Sequence, residues 1–197
     1  IDTIGRGAFN HCYNLVSINL PSGIERIPDS CFSSCNKLEN VIIPESVTQI
    51  GSYAFQYCDS LGSVTIPEKI TSIWYGAFYG AGISEILLNK NLEFIGDSAF
   101  ARVHKLKTIT LPASLVSFGE QVFRYSSVEE ILVDSKNDFF SSDEYGVLYN
   151  KDKTVLIQYP LGNERKSFTV PESVLRIKEN AFSNSQELIE VVIPQGV

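Results

Sequence analysis

Apolar residues recur along the chain with a period of about 23 residues. A phenylalanine marks each unit, and a small residue precedes nearly every one of these phenylalanines. They are Phe9, Phe32, Phe55, Phe78, Phe100, Phe123 and, after one longer step, Phe182. A fixed period of this length is typical of solenoid proteins, in which a unit buries its apolar side chains only against its neighbours.

Each unit has the same order of predicted elements. A pair of branched apolar residues three positions apart opens the unit, as in Val47 and Ile50, and the phenylalanine follows. The run Leu61, Val64, Ile66 then predicts a short strand, which a proline ends because proline has no N–H for a β-ladder. The A-F-x-x-C segment between them is too short for an independent helix, and we expect one helical or 3₁₀ turn there.

A glycine often stands four residues before the phenylalanine, at Gly5, Gly51, Gly96 and Gly119. This suggests a left-handed turn, although Pro28 occupies the same column and proline cannot reach a positive φ.

The repeat predicts one continuous array. Its expected units are residues 1–23, 24–46, 47–69, 70–91, 92–114, 115–134, a variant layer 135–173, and 174–197. Within the variant layer, residues 146–160 have the pattern of a β-hairpin with a polar turn at 150–153. The first and last residues fall at the same phase of the repeat, so we interpret the chain as a segment of a longer array.

Composition narrows the possible partners. The 197 residues are 44% hydrophobic, and the net charge is −7. The basic residues are scattered, which disfavours nucleic acid as a partner because binding to phosphates needs clustered Lys and Arg. No apolar run approaches the roughly 18 residues of a membrane span, so we expect no direct membrane insertion in this segment.

The cysteines favour a packing role. Cys12, Cys35 and Cys58 share the column three residues after the phenylalanine, where later units have Val103 and Ser185. A column that accepts Cys, Val and Ser selects for small size. A disulfide between neighbouring units and a metal site remain as alternatives, although zinc sites need further ligands that are missing nearby.

Catalytic chemistry has little support in the sequence. His11 and His104 are expected on exposed turns, and no G-x-S-x-G motif is present. The acidic loop could hold calcium but lacks the D-x-D-x-D-G spacing; its polar residues are Asp134, Asn137, Asp138, Asp143 and Glu144. We predict no cofactor, and we disfavour an enzyme because uniform stacking of units builds no cleft.

The repeat I-x-x-I-G-x-x-A-F-x-x-C-x-x-L-x-x-V-x-I-P and the segment YGVLYNKDKTVLIQYP resemble the BspA-like leucine-rich repeats. The resemblance covers essentially the whole chain. It implies a right-handed α/β solenoid with short parallel strands on one face and turns or short helical segments on the other. It also implies an extracellular or cell-surface location, as in surface proteins of host-associated bacteria and some protists. No catalytic residues carry over.

Two groups of residues are candidate ligand-binding positions. The first is an outward-facing strand column, which alternation places away from the core, and an apolar patch there would mark an interface. It contains Asn19, Ile42, Thr65, Leu87, Thr110, Leu132 and Val192. The second is an aromatic group, Trp74, Tyr75 and Tyr79, with Tyr53 and Tyr57 nearby, which suits protein or sugar contacts. Packing between turns is the alternative for these aromatics.

The function that these observations favour is a non-catalytic surface module that binds a protein ligand such as a host matrix protein, or that binds another cell. A glycan ligand and a structural spacer that displays another domain remain as alternatives.

Overall fold

Stacked layers of short strands and turns make up the computed structural model, which describes residues 3–197. Each regular layer contributes one strand to each of two rows, and a turn segment forms a third row. In chain order the strands are β1 (Ser17–Ile18), β2 (Arg26–Ile27), β3 (Asn40–Val41), β4 (Gln49–Ile50), β5 (Ser63–Thr65), β6 (Ser72–Ile73), β7 (Glu85–Leu87), β8 (Phe94–Ile95), β9 (Thr108–Leu111), β10 (Ser117–Phe118), β11 (Glu130–Val133), β12 (Phe140–Ser142), β13 (Leu148–Asn150), β14 (Val155–Gln158), β15 (Ser167–Thr169), β16 (Arg176–Ile177) and β17 (Glu190–Val192).

The first row comes from the predicted V-x-I strands, and we call its outer surface the strand face. Its strands pair in parallel as β1-β3, β5-β7, β9-β11 and β15-β17. Residues at the same position of successive repeats lie in register, so that Val64 lies opposite Ile86 and Thr65 lies opposite Leu87. The side chains alternate between the core and the outside, as a period of two requires.

The second row comes from the branched apolar pair that opens each unit. Its strands form a five-stranded parallel sheet in the order β10-β8-β6-β4-β2. Each strand is only two residues long, with an outward residue such as Gln49 followed by a buried one such as Ile50. The sequence did not predict these strands, because two residues are too few to show an alternating pattern.

The prediction of helical or 3₁₀ turns is wrong, since residues 3–197 contain no helix. The α/β fold class, which depended on those turns, is therefore wrong as well. Two residues in each turn segment have a positive φ, as at Tyr53 (φ 57°) and Tyr57 (φ 53°), and this conformation interrupts a right-handed helix. Every second N–H of a turn bonds to the next layer instead, as when the Phe55 N–H donates to the Ala77 carbonyl at 2.8 Å. The N–H groups between them close single turns, as when the Gln56 N–H donates to the Tyr53 carbonyl at 3.2 Å. The solenoid is therefore built from strands and turns.

The glycine column does not form the left-handed turn, since Gly51, Gly96 and Gly119 have no positive φ. Its glycines allow a close approach between layers. A Cβ at Gly51 would lie 2.7 Å from the Asp29 nitrogen of the preceding layer.

A ladder of phenylalanine rings runs through the core beneath the turns. Neighbouring rings from Phe9 to Phe123 are stacked, with centroids 5.4 Å apart for Phe9 and Phe32 and 5.9 Å apart for Phe100 and Phe123. The rings from Phe32 to Phe123 are fully buried. Branched aliphatic side chains from both rows of strands complete this core.

The cysteines pack beside the ladder as free thiols, three of them buried and Cys12 half-buried. They also make contacts that the sequence did not reveal: the Cys35 thiol donates to the Phe9 carbonyl and the Cys58 thiol donates to the Phe32 carbonyl, each at 3.1 Å. Burial, as the largest cause, raises the pKa of Cys31 to about 12 and that of Cys35 to about 11. These thiols therefore stay protonated and unreactive near neutral pH.

The variant layer interrupts this regular stacking. Strands β12, β13 and β14 form an antiparallel sheet, and β14 pairs in parallel with β16, so it occupies a place in the second row. Strand β12 was not predicted. The ring of Tyr159 stacks on Phe182 at 5.3 Å, and the Tyr159 N–H donates to the Ala181 carbonyl as the ladder phenylalanines do. Tyr159 is thus the ladder residue of this layer, and its spacing of 23 residues before Phe182 was a usable signal.

Replacing one ladder ring tests the packing of the core. We expect Phe55→Ala to lower the free energy of unfolding by about 3–5 kcal/mol, because it removes a fully buried ring from between two stacked neighbours. Cys58→Val should cost about 1.5 kcal/mol or less, because valine is apolar and only slightly larger, the buried Val103 occupies the same column, and one weak thiol bond is lost. Urea denaturation followed by circular dichroism measures both, and equal losses would contradict this account of the core.

Candidate binding surfaces

The predicted outward column lies on the strand face and is exposed. Ile42 is the most exposed apolar residue of the column at 82%, followed by Leu87 at 64%, Val192 at 48% and Leu132 at 38%. The intervening Asn19, Thr65 and Thr110 are also exposed. Because Thr65 lies opposite Leu87, and Thr110 lies opposite Leu132, large apolar side chains alternate with threonines along the column.

A polar column runs beside this apolar one. It lies two residues earlier in each strand and is exposed throughout, with Ser17, Asn40, Ser63, Glu85, Thr108, Glu130 and Glu190. Glu130 pairs with Thr108, and Ser63 pairs with Glu85. The strand face therefore carries aliphatic side chains next to hydroxyl and carboxylate groups.

The variant layer separates Val192 from the rest of the column. At β11, the Ile131 N–H donates to the Gly146 carbonyl at 3.1 Å, and the Val133 N–H donates to the Ser142 hydroxyl at 3.1 Å. These bonds go to the variant layer and not to β15, which pairs with β17 beyond it. Ile42, Leu87 and Leu132 consequently belong to one stretch of the strand face, and Val192 belongs to another.

A second surface lies on the row of turns and is here called the aromatic strip. It consists of Tyr53, Tyr57, Trp74, Tyr75, Tyr79, Arg102, Arg124 and Tyr125. Tyr53 and Tyr75 meet edge to face at 5.1 Å, and Tyr57 and Tyr79 do so at 5.6 Å. These contacts join neighbouring turns, as the packing alternative required, but Trp74 and Tyr75 remain more than two-fifths exposed, at 43% and 45%.

Two glycines make room for the tyrosines of the strip. Gly76 and Gly80 occupy the positive-φ columns one layer beyond Tyr53 and Tyr57. A Cβ at Gly76 would lie 2.7 Å from the Tyr53 ring, and one at Gly80 would lie 2.6 Å from the Tyr57 ring. The two rings therefore lie on glycine backbone.

Arginine extends the strip beyond the predicted aromatics. The Arg102 guanidinium lies 5.9 Å from the centroid of the Tyr79 ring and 5.3 Å from that of Tyr125. The Arg124 guanidinium lies 4.7 Å from the Tyr125 centroid. Sequence reasoning missed Arg102 and Tyr125 although both stand in the column of Tyr57, two residues after the ladder phenylalanine.

The hydroxyls of Tyr53 and Tyr57 remain protonated at neutral pH. Burial, followed by a hydrogen bond with Tyr75, raises the pKa of Tyr53 to about 12. Burial and the neighbouring Tyr79 also raise the pKa of Tyr57, while the charge of Arg102 acts in the opposite direction. The strip thus offers neutral hydroxyl groups, which both donate and accept hydrogen bonds.

A polar groove of about 590 Å³ lies where the variant layer interrupts the stacking. Tyr125 and His104 line one end, and the groove reaches Lys166 on the far side. Lys107 forms an ion pair with Glu129 at 2.5 Å, and Lys166 pairs with Glu187. Uniform stacking would not produce such a groove, so the groove results from the insertion of the variant layer.

The acidic loop uses its polar side chains to hold the backbone. Asn137 is fully buried, and its amide donates to the Pro112 and Leu115 carbonyls, each at 2.9 Å. Asp143 accepts hydrogen bonds from the Tyr145 and Val147 N–H groups and from the Tyr149 hydroxyl. Among residues 3–197, no three His, Cys, Asp or Glu side chains are grouped as metal ligands.

Layers with in-register apolar columns, a buried ring ladder and an exposed strand row define a leucine-rich-repeat solenoid. The chain belongs to the family described as the BspA type leucine rich repeat region, whose model matches six copies over residues 25–146 and 162–197. The unmatched stretch between the two matched ranges, residues 147–161, contains β13 and β14. No match was found among curated proteins.

Several bacterial proteins of known structure are similar. The pneumococcal vaccine antigen PcpA superposes with a TM-score of 0.85 at 27% identity, over 92% of this chain and 46% of PcpA. A leucine-rich repeat protein from Eubacterium ventriosum gives 0.69 at 26% identity, over 82% of this chain and 49% of that one. A leucine-rich cell surface protein from Faecalibacterium prausnitzii gives 0.66 at 26% identity, over 95% and 50%. The chain spans about half the length of these proteins. Among the described residues, no helix is long and apolar enough to cross a membrane.

The glycines beneath the strip provide a direct test of its packing. We expect Gly80→Ala to lower the free energy of unfolding by about 1–2 kcal/mol, because alanine resists the positive φ of 67° and its Cβ would meet the Tyr57 ring. Gly62→Ala is the matched control, since a Cβ at Gly62 meets nothing within 4 Å. Thermal unfolding measures both variants, and an equal effect at the two sites would argue against this packing.

Proposed function

We propose that this solenoid is the protein-binding part of a bacterial cell-surface protein, and that the strand face is its binding surface. The observation that carries the proposal is the exposed row of Ile42, Leu87 and Leu132 on a regular sheet surface. Leucine-rich-repeat proteins generally bind other proteins, and members of this repeat family are typically non-catalytic.

Burial of these side chains would contribute to affinity. Each aliphatic side chain taken out of water contributes on the order of 25 cal/mol per Å² of apolar area. Leu87 and Leu132 stand on strands that pair with the preceding layer, so little backbone order is lost on binding. The threonines between these residues in the same column supply hydroxyl groups, which suits an interface with an apolar centre and polar surroundings.

The charge beside the row indicates the kind of protein that fits. Glu85 and Glu130 stand in the neighbouring column, and no ion pair of the described residues involves them. A partner with apolar side chains flanked by Lys or Arg would complement this surface. The carboxylates would then accelerate association and favour one orientation more than they add affinity.

The similar proteins support a location at the cell surface. One of them is described as a cell surface protein and another as a vaccine antigen, and both share the fold over nearly the whole of this chain. A host matrix protein is therefore a suitable first class of ligand to examine.

A structural spacer is the second candidate, and the regular ring ladder favours it. Stacked aromatic rings and interlayer hydrogen bonds from Phe9 to Phe123 make a stiff support that is suited to holding another domain at a distance. A spacer needs no ligand for its strand face.

Charge substitution on the strand face separates the two candidates. We expect Leu87→Lys with Leu132→Lys to weaken binding to purified matrix proteins (fibronectin, laminin and collagen) by about thirtyfold or more, because ammonium groups replace apolar contacts at the centre of the interface. Biolayer interferometry with each immobilised protein measures the dissociation constant.

The control carries the same two charges on similarly exposed aliphatic positions outside the strand face. Val116 and Leu175 are 46% and 63% exposed and directly precede β10 and β16 in the second row. Val116→Lys with Leu175→Lys should bind as the wild type does. Equal weakening in both double variants would contradict the strand-face proposal, and a wild type that binds none of these proteins would favour the spacer.

A further inference from the structure

We propose that the aromatic strip is a second binding surface, separate from the strand face, and that its ligand is an acidic polysaccharide bearing carboxylate or sulfate groups. The proposal rests on two guanidinium groups held together without a counter-ion, beside exposed aromatic rings.

The two arginines are unusual because the chain as a whole is acidic, with a net charge of −7. Both guanidinium groups contact the Tyr125 ring, at 5.3 and 4.7 Å from its centroid. Neither Arg102 nor Arg124 takes part in an ion pair within residues 3–197. Two like charges on one ring repel each other, and an anion bound between them would remove this cost.

Nearby carboxylates do not serve as the missing anion. Asp59 accepts a hydrogen bond from the Asn36 amide at 2.6 Å, and Asp97 accepts one from the Glu120 N–H at 2.8 Å. Neither carboxylate forms an ion pair with Arg102 or Arg124, so the two guanidinium groups are unpaired among the described residues and their sign favours an anionic ligand.

Hydrogen bonding leaves most guanidinium donors available. Arg124 donates to the Gln121 side-chain oxygen at 3.0 Å and to the Tyr125 hydroxyl at 3.1 Å, which fixes its orientation. The Arg102 side chain has no hydrogen-bond partner in the part of the chain that the structure describes. Guanidinium groups bind carboxylate and sulfate oxygens through paired N–H donors, so a positioned pair suits these anions.

The rings beside the arginines suit sugars. Tyr57, Tyr75 and Tyr125 are each about two-fifths exposed, and their rings provide apolar surface for the C–H faces of a sugar ring. The tyrosine hydroxyls provide donors and acceptors for sugar hydroxyls. The strip crosses four layers, a span of roughly 14 Å at the ~4.8 Å spacing of neighbouring strands, and Tyr125 also lines the polar groove. An extended chain of several sugar units fits this shape.

An acidic peptide fits less well, because the row of turns has no free backbone edge. The Tyr57 N–H donates to the Tyr79 carbonyl at 2.9 Å, the Gly80 N–H to the Ala101 carbonyl at 2.8 Å, and the Arg102 N–H to the Arg124 carbonyl at 2.7 Å. Extended peptides gain much of their affinity from main-chain hydrogen bonds at a sheet edge. Here a ligand meets rings, hydroxyls and guanidinium groups.

The single tryptophan of the chain is Trp74, which directly precedes Tyr75 and packs 5.4 Å from the Phe94 ring, and its fluorescence serves as an intrinsic probe that needs no substitution. The probes are a heparin-derived hexasaccharide, a hyaluronan hexasaccharide, neutral maltohexaose and a poly-glutamate peptide. We expect a saturable change in Trp74 fluorescence with at least one acidic hexasaccharide, which weakens as salt concentration rises because salt screens the charges. Maltohexaose should give no change.

Two variants test the role of the arginines. Arg102→Gln with Arg124→Gln should weaken binding of the acidic hexasaccharide at least tenfold. Arg26→Gln with Lys69→Gln removes the same charge from exposed positions outside the strip and should bind as the wild type does. Leu87→Lys with Leu132→Lys should also retain hexasaccharide binding, which separates this proposal from that for the strand face.

Several results would overturn the proposal. Equal binding by the two charge-removal variants would show that the strip is not the site. Binding of maltohexaose as tight as that of the acidic sugars would exclude an anionic ligand. Poly-glutamate binding at equal or higher affinity, with the same dependence on Arg102 and Arg124, would assign the strip to acidic peptides. No fluorescence change with either acidic hexasaccharide would also count against it.

Discussion

Stacking of identical side chains at a fixed distance is the constraint on which the whole structure depends. The ladder rings lie 5.3 to 5.9 Å apart, and hydrogen bonds between turns, such as that from Phe55 to Ala77, hold each layer in register with the next. Because the register is kept, outward residues also form columns. The exposed row with Ile42 and Leu87 therefore exists because the buried columns align.

The variant layer shows how far this constraint tolerates change. Tyr159 keeps the ring ladder in step with Phe182, and β14 keeps a place in the second row. The extra antiparallel strands instead interrupt the strand face beside β11 and leave a polar groove. The insertion thus keeps the turn and second-row contacts with the layer that follows it, interrupts them on its other side, and changes the surface available to ligands.

The two candidate surfaces have different chemistry. The strand face combines aliphatic side chains with the carboxylates of Glu85 and Glu130, whereas the aromatic strip combines tyrosines with the guanidinium groups of Arg102 and Arg124. The two surfaces arise from different columns of the same repeat, so the residues of each surface can vary without changing the buried core residues. The two proposals therefore assign ligands of opposite charge to separate rows of one solenoid.

Most of the architecture could be predicted from the sequence, because each structural position of the repeat occurs several times along the chain. The ladder residue Phe55, the strand around Val64 and the outward direction of Leu87 were all readable from aligned columns. Features that depend on contacts between layers could not be predicted from the aligned positions of the repeat and were decided by the tertiary structure. The two-residue strands such as β4 exist only through pairing with neighbouring layers, and the turns form no helix because every second N–H group bonds to the next layer. The contact of Arg102 and Arg124 with one ring also depends on layers coming together, since residues far apart in sequence meet only after stacking.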